Sequence, residues 1–120
     1  MKSNQEIVDI INHGSASDIR HQFSSIPFFP MITDGVNALA EAAECYWLLD
    51  ILGSYQTNKR LDKEFQVWVL EVNHNDDTAV VRGYNDTELI ITQEIPFTDF
   101  PLEHVKLYLA DGVIMLLSEY

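Results

Sequence analysis

The apolar residues of this chain change period once. Before residue 55 they recur every third or fourth position, and beyond residue 64 they alternate with a period of two. Ser3 and Glu6 have the spacing of a capping box, and Ile7, Val8, Ile10 and Ile11 follow on one face. They predict an N-terminal helix of about three turns, stopped at Asn12-His13-Gly14. In the next stretch Ile19 and Phe23 fit one helical face. Pro27 and Pro30 make Ile26 to Ile32 extended or irregular. Thr33 or Asp34 then caps a long helix from Val36 to Tyr55, alanine-rich and free of proline. Its polar stripe is narrow, formed by Asn37, Glu41 and Glu44, so the helix is expected to be packed on more than one side.

Gly53 weakens the end of that helix, and Thr57 to Arg60 reads as a loop. Phe65 to Val72 is apolar on both faces, as in the interior of a sheet. The Asn/Asp-rich turn Asn73 to Asp77 leads to strands Thr78–Tyr84 and Glu88–Ile95, separated by Asn85-Asp86. Pro96 and Pro101 bracket a fixed loop. Val105, Leu107 and Leu109 alternate with Lys106 and Tyr108, and Asp111-Gly112 is a hairpin signal before Val113–Leu117. Helices first and strands after predict one α+β domain over residues 1–120. Its expected architecture is N-terminal helices and one long central helix packed on an antiparallel meander of about five strands.

Charge narrows the partners. Nineteen Asp and Glu against seven Lys and Arg give a net charge of -12, while 47% of the residues are apolar, so the chain is acidic and still able to build a core. Such a potential attracts basic surfaces and repels nucleic acid and anionic membrane. Three of the seven bases, Lys59, Arg60 and Lys63, are close together, too few to bind nucleic acid directly. One cysteine excludes an intrachain disulfide and fits a reducing compartment. Neither a signal peptide nor a membrane-spanning run is evident, so a cytoplasmic location is expected.

Three tracts, taken together, carry a resemblance. They are Thr33-Asp34-Gly35-Val36; Trp47-Leu48-Leu49-Asp50 with Ser54-Tyr55-Gln56; and Thr98-Asp99-Phe100-Pro101 running to Asp111-Gly112-Val113 and Ser118-Glu119-Tyr120. Over roughly residues 13–120 the chain resembles a family of small bacterial and phage proteins known as a domain of unknown function. The resemblance implies an α+β fold and an association with phages and mobile elements. It implies no catalytic residue.

No motif brings reactive groups together. The histidines, His13, His21, His74 and His104, fall in different loops or element ends, without metal-ligand spacing, so neither a metal nor a cofactor is expected. Cys45 reads as a buried, inert thiol within the long helix. Asp50, one turn after Trp47, has two readings. It is either a packed carboxylate satisfied by a loop amide or Arg82, or a ligand-binding acid in a pocket with Trp47, Tyr55 and Trp68. The pairs Thr33-Asp34 and Thr98-Asp99 are explained by capping and by an Asx-type turn.

The acidic surface supplies the leading expectation, a non-enzymatic module that docks a basic surface of a host protein or nucleoprotein complex. Glu71, Asp76, Asp77, Asp86 and Glu88 are its expected contacts. Its sharpest form is a phage-encoded, anti-CRISPR-like inhibitor that imitates the phosphate rows of DNA and acts in the host cytoplasm. The alternative is a small-molecule binder with the pocket at Trp47, Asp50, Tyr55 and Trp68. Solubility alone also explains an acidic surface, and a homodimer is compatible if Trp68 lies uncovered.

Overall fold

A computed structural model describes residues 1–13 and 20–120. It shows an α+β fold of three helices and a seven-stranded mixed sheet in the order β1-β2-β7-β6-β3-β4-β5. In chain order the elements are α1 (Asn4–His13), β1 (Arg20–His21), β2 (Met31–Thr33), α2 (Asp34–Ala42) and α3 (Tyr46–Ser54). The strands β3 (Phe65–Asn73), β4 (Thr78–Asn85), β5 (Glu88–Ile95), β6 (His104–Ala110) and β7 (Val113–Leu116) follow. A 3₁₀ turn follows α3 at Tyr55–Thr57, and another follows β7 at Leu117–Glu119. The expected stop at Gly14 and the place of Ile19 lie outside the described residues. Among the described residues no helix is long and apolar enough to cross a membrane.

Two expectations of architecture are corrected. The first is the single long helix, which is two. Glu44 has a φ of 52°, the Cys45 amide bonds back to the Ala40 carbonyl, and the Glu44 amide reaches that of Glu41. This is a Schellman ending built on glutamate where glycine is the usual choice, so neither proline nor glycine betrays it in the sequence. Cys45 therefore sits at the break before α3, not within a helix.

The second correction concerns the meander, because the chain does not pass from β5 to its neighbour. Residues 96–103 cross one end of the sheet and deliver β6 to the far side of β3, where Trp68 pairs with Leu107 and Leu70 with Val105. That crossing spans three strand spacings, roughly 14 Å. Phe100, 1% exposed, anchors the loop in the core. The Thr98 amide bonds to the Asp77 carbonyl, and the Val72 amide to that of Glu103. Beyond β7 the sheet gains β2, parallel to it, with Met31 opposite Val113 and Ile32 opposite Ile114. That pairing makes a strand of Met31–Thr33, at the end of the segment expected to be extended or irregular.

The helices cover one face of the sheet. Ile7, Val36, Leu39, Leu49 and Leu52 pack over Trp68, Leu70, Val81, Leu107 and Ile114, all of them buried. The other face carries the alternate residues Phe65, Val67, Val69, Val80, Arg82, Lys106 and Tyr108. There Phe65, Tyr108 and Tyr120 pack as a ring cluster with centroids 5.4–5.7 Å apart.

Candidate functional site

The concave feature richest in titratable groups lies where β3 ends and β6 begins. Antiparallel pairing sets Glu71 opposite His104, and the following turn carries His74. Glu71, Asn73, His74, Asn75, Glu103 and His104 line a groove of about 600 Å³ open to solvent. Asp76 and Asp77 continue the turn, Glu94 pairs in register with Val80 beside it, and Asp99 lies in the loop tied to Asp77. This end of the sheet thus presents Glu71, Asp76, Asp77, Glu94, Asp99 and Glu103, all exposed. Arg82, the base on the same stretch of β4, is already paired with Glu71 at 3.0 Å.

Local geometry favours the anion at one of these acids, Asp76. Asp76 Oδ1 accepts from the Thr78 amide at 3.1 Å and from its hydroxyl at 2.7 Å. Those two bonds favour the anion and hold its pKa below the usual value of 3.8. Asp77 occupies the left-handed region, φ 57°, which Asp tolerates better than most residues.

The five acids expected as one contact surface do not gather. Glu71, Asp76 and Asp77 share this end, but Asp86 and Glu88 stand at the opposite end of β4, roughly 25 Å away along an eight-residue strand. There Asn85 donates to the Arg60 carbonyl at 2.8 Å and accepts from the Asp62 amide at 2.7 Å, which brings the loop of Lys59, Arg60 and Lys63 beside the turn. Glu94, Asp99 and Glu103 join the candidate site only through the crossing loop and the β4–β5 register, contacts that no local spacing announces.

The second expected site is filled or dispersed. Trp68 is 1% exposed, stacks on Tyr55 at 6.0 Å, and lies against the Cα of Gly83, where a methyl group would come within 2.7 Å of its ring. Tyr55 donates to Gln93 Oε1 at 2.7 Å. Trp47 is partly buried against the core, and Asp50, expected in packed surroundings, is exposed. Arg82 serves Glu71 instead. The partner that Trp68 needs is Gln66, wholly buried, which accepts from the indole Nε1 at 2.9 Å. Gln66 also exchanges two hydrogen bonds with Gln56, at 2.9 and 3.0 Å, and donates to the Asp62 carbonyl at 2.9 Å. Because Tyr55 covers Trp68, an uncovered indole gives no ground for a homodimer.

The remaining motifs resolve into structure. Thr33 is the N-cap of α2, its hydroxyl accepting from the Val36 amide. Asp34 instead pairs with His21. Glu119, which the sequence reading did not single out, takes the Thr33 hydroxyl at 2.6 Å, the Leu116 amide at 3.0 Å and the Gly35 amide at 3.2 Å. Its carboxylate fills the space a Cβ on residue 35 would need. The only hint available was that Thr-Asp-Gly-Val and Ser-Glu-Tyr both belong to the tracts carrying the resemblance. Thr98 holds its own turn by accepting from the Phe100 amide at 3.1 Å, so the threonine does the work expected of Asp99. Burial pushes the Cys45 thiol up to about 12, which leaves it protonated and inert. Among the described residues no three His, Cys, Asp or Glu side chains converge as a metal site would require.

No curated protein and no solved structure matches the chain. A family model does, one described as a family of unknown function (DUF6876), and it matches residues 6–120. The chain belongs to this family.

Proposed function

We propose that the protein is a non-enzymatic acidic binding module that docks a basic surface through the end of its sheet where β3, β5 and β6 meet. The observation carrying this reading is the convergence there of Glu71, Asp76, Asp77, Glu94, Asp99 and Glu103, with Arg82 neutralising one of them. Carboxylates fixed on a sheet end lose little conformational freedom on docking and raise the encounter rate with a cation-rich partner. In its narrower form the partner is a nucleic-acid-binding host complex, and the module, phage-borne and acting in the host cytoplasm, occupies the surface that phosphates would fill. The separation of Asp86 and Glu88 from the other acids confines that imitation to one end of the sheet.

Competition tests it. The protein is titrated into a fluorescent duplex held by a basic DNA-binding domain, first at 50 mM and then at 300 mM salt. Displacement at low salt that falls steeply at high salt supports the reading, since the attraction is screened within a few ångströms at high ionic strength. Absence of displacement at either salt, or displacement indifferent to salt, removes it.

A further inference from the structure

The two edges of the sheet are unequal. One ends in β1, only two residues long. The other ends in β5, eight residues, paired on one side with β4 and, among the described residues, with nothing on the other. A strand of that length leaves a row of backbone donors and acceptors without a ladder partner. Natural edges are blunted by shortness, proline, charged side chains (lysine above all) or a bulge, and of these β5 has two glutamates and one bulge near its start. The strand β5 has neither lysine nor proline within Glu88–Ile95, and it reads Leu89-Ile90-Ile91-Thr92, rich in β-formers. A bulge at Ile90, where Gly83 pairs with Ile91 and Tyr84 with Leu89, leaves Ile91 to Ile95 as a regular run. A groove of about 490 Å³ flanks its end between Thr78–Val80 and Glu94–Pro96.

The charges on this edge choose the occupant. Glu88 and Glu94 are its only ionisable groups, both exposed, and neither has a basic partner among the described residues. Glu88, opposite Asn85, and Glu94, opposite Val80, lie on opposite faces of the sheet because of the bulge, and a second copy on this edge would join two bodies of charge -12. An extended segment with Lys or Arg flanking β-branched residues meets the same acids with opposite sign.

We infer that β5 is a strand-addition site for an extended basic peptide segment, so that main-chain hydrogen bonds supply affinity while Glu88 and Glu94 select for cationic side chains. This rests on the proposed basic partner and states how part of that partner is held.

The test uses the full-length ¹⁵N-labelled chain with two synthetic decapeptides, one alternating Lys and Val and the other Glu and Val. The Lys–Val peptide is expected to slow amide exchange in Ile91 to Ile95 on the order of tenfold, and the Glu–Val peptide to leave it unchanged. In the double variant Glu88→Lys/Glu94→Lys, two surface changes checked for folding by the unchanged melting temperature, the preference should reverse. Protection confined to Asn73–Asp77, or undiminished Lys–Val binding in the double variant, overturns the strand-addition site while leaving the basic-partner reading intact. Protection of β5 that grows with protein concentration and needs no peptide overturns it in favour of a second copy. Binding of neither peptide overturns it outright, and the duplex competition decides the broader reading separately.

Discussion

The two ends of the sheet use polar side chains in opposite ways. Where β3 begins and β4 ends, polar groups are spent on one another. Gln66, Gln56 and Trp68 form a closed set, Asn85 bridges two backbone groups of the 60–62 segment, and Lys63 Nζ reaches the Gln56 and Asn58 carbonyls. Where β3 ends and β6 begins, the closure is made by main chain and by Phe100, and the carboxylates and imidazoles are left facing water. Residue type does not separate the two ends, since hairpin turns rich in Asn and Asp occur at both. What separates them is the chain that lies against each turn. The first end has its polar groups satisfied internally, and the second keeps most of its carboxylates exposed, which is where the proposed docking would occur.

The contrast can be broken most directly at Gln66. Replacing it by Ala removes four hydrogen bonds and leaves the buried indole Nε1 without an acceptor, while Gln56 keeps only its bond to the Leu52 carbonyl. Unfolding in urea should show a loss of about 3 kcal/mol, with displacement of duplex unaffected once the folded fraction is matched. Asn85→Ala, at the same end, removes two bonds to backbone at a half-buried site. It should cost about 1.5 kcal/mol in the same assay and again spare binding. A loss of binding in either variant would erase the division of labour between the ends.

At the acid end the expectation reverses. Neutralising Asp76, Asp77 and Glu103 together to their amides should leave the urea midpoint nearly unchanged, because all three are exposed. Duplex displacement at low salt should weaken roughly tenfold. Asp86→Asn with Glu88→Gln, at the other end, should change it far less. Equal effects of the two sets would show that total charge matters and position does not.

The smallest effect is a titration. Thr78→Ala removes the 2.7 Å hydroxyl bond, and the Asp76 carboxyl followed by NMR should titrate closer to the ordinary 3.8. The sign is that of a depressed carboxylate. Its contribution to folding is complete above the unfolded pKa and is lost as pH falls through the lower folded value. In the variant that loss should be smaller and should be complete at a higher pH, while its onset, set by the unfolded pKa, stays where it was.

Much of the element order was legible because it is written locally. The change of period near residue 60, the Thr33 cap and the Asp111-Gly112 hairpin each depend on neighbours a few residues apart, and each is found where expected. The strand limits from Phe65 to Ala110 follow for the same reason. The break at Glu44 was not legible, since a left-handed glutamate leaves no sequence signal. Asp50 misled through its apolar neighbours. It lies on the outward side of α3, and Trp47 beside it marks only the rim of the core.

From the sequence alone came the α+β class, the acidity and the outward placement of Glu71, Asp76, Asp77, Asp86 and Glu88, since these follow from composition and short-range pattern. Only the tertiary structure decided that β6 lies beside β3, that β2 joins the sheet in parallel, that Glu119 closes the start of α2, and which acids stand together. The physical reason is the range of the contacts involved. The period of a strand records which face is buried but not which strand lies alongside, and the contacts that decided these placements join distant residues, 86 positions apart for Thr33 and Glu119.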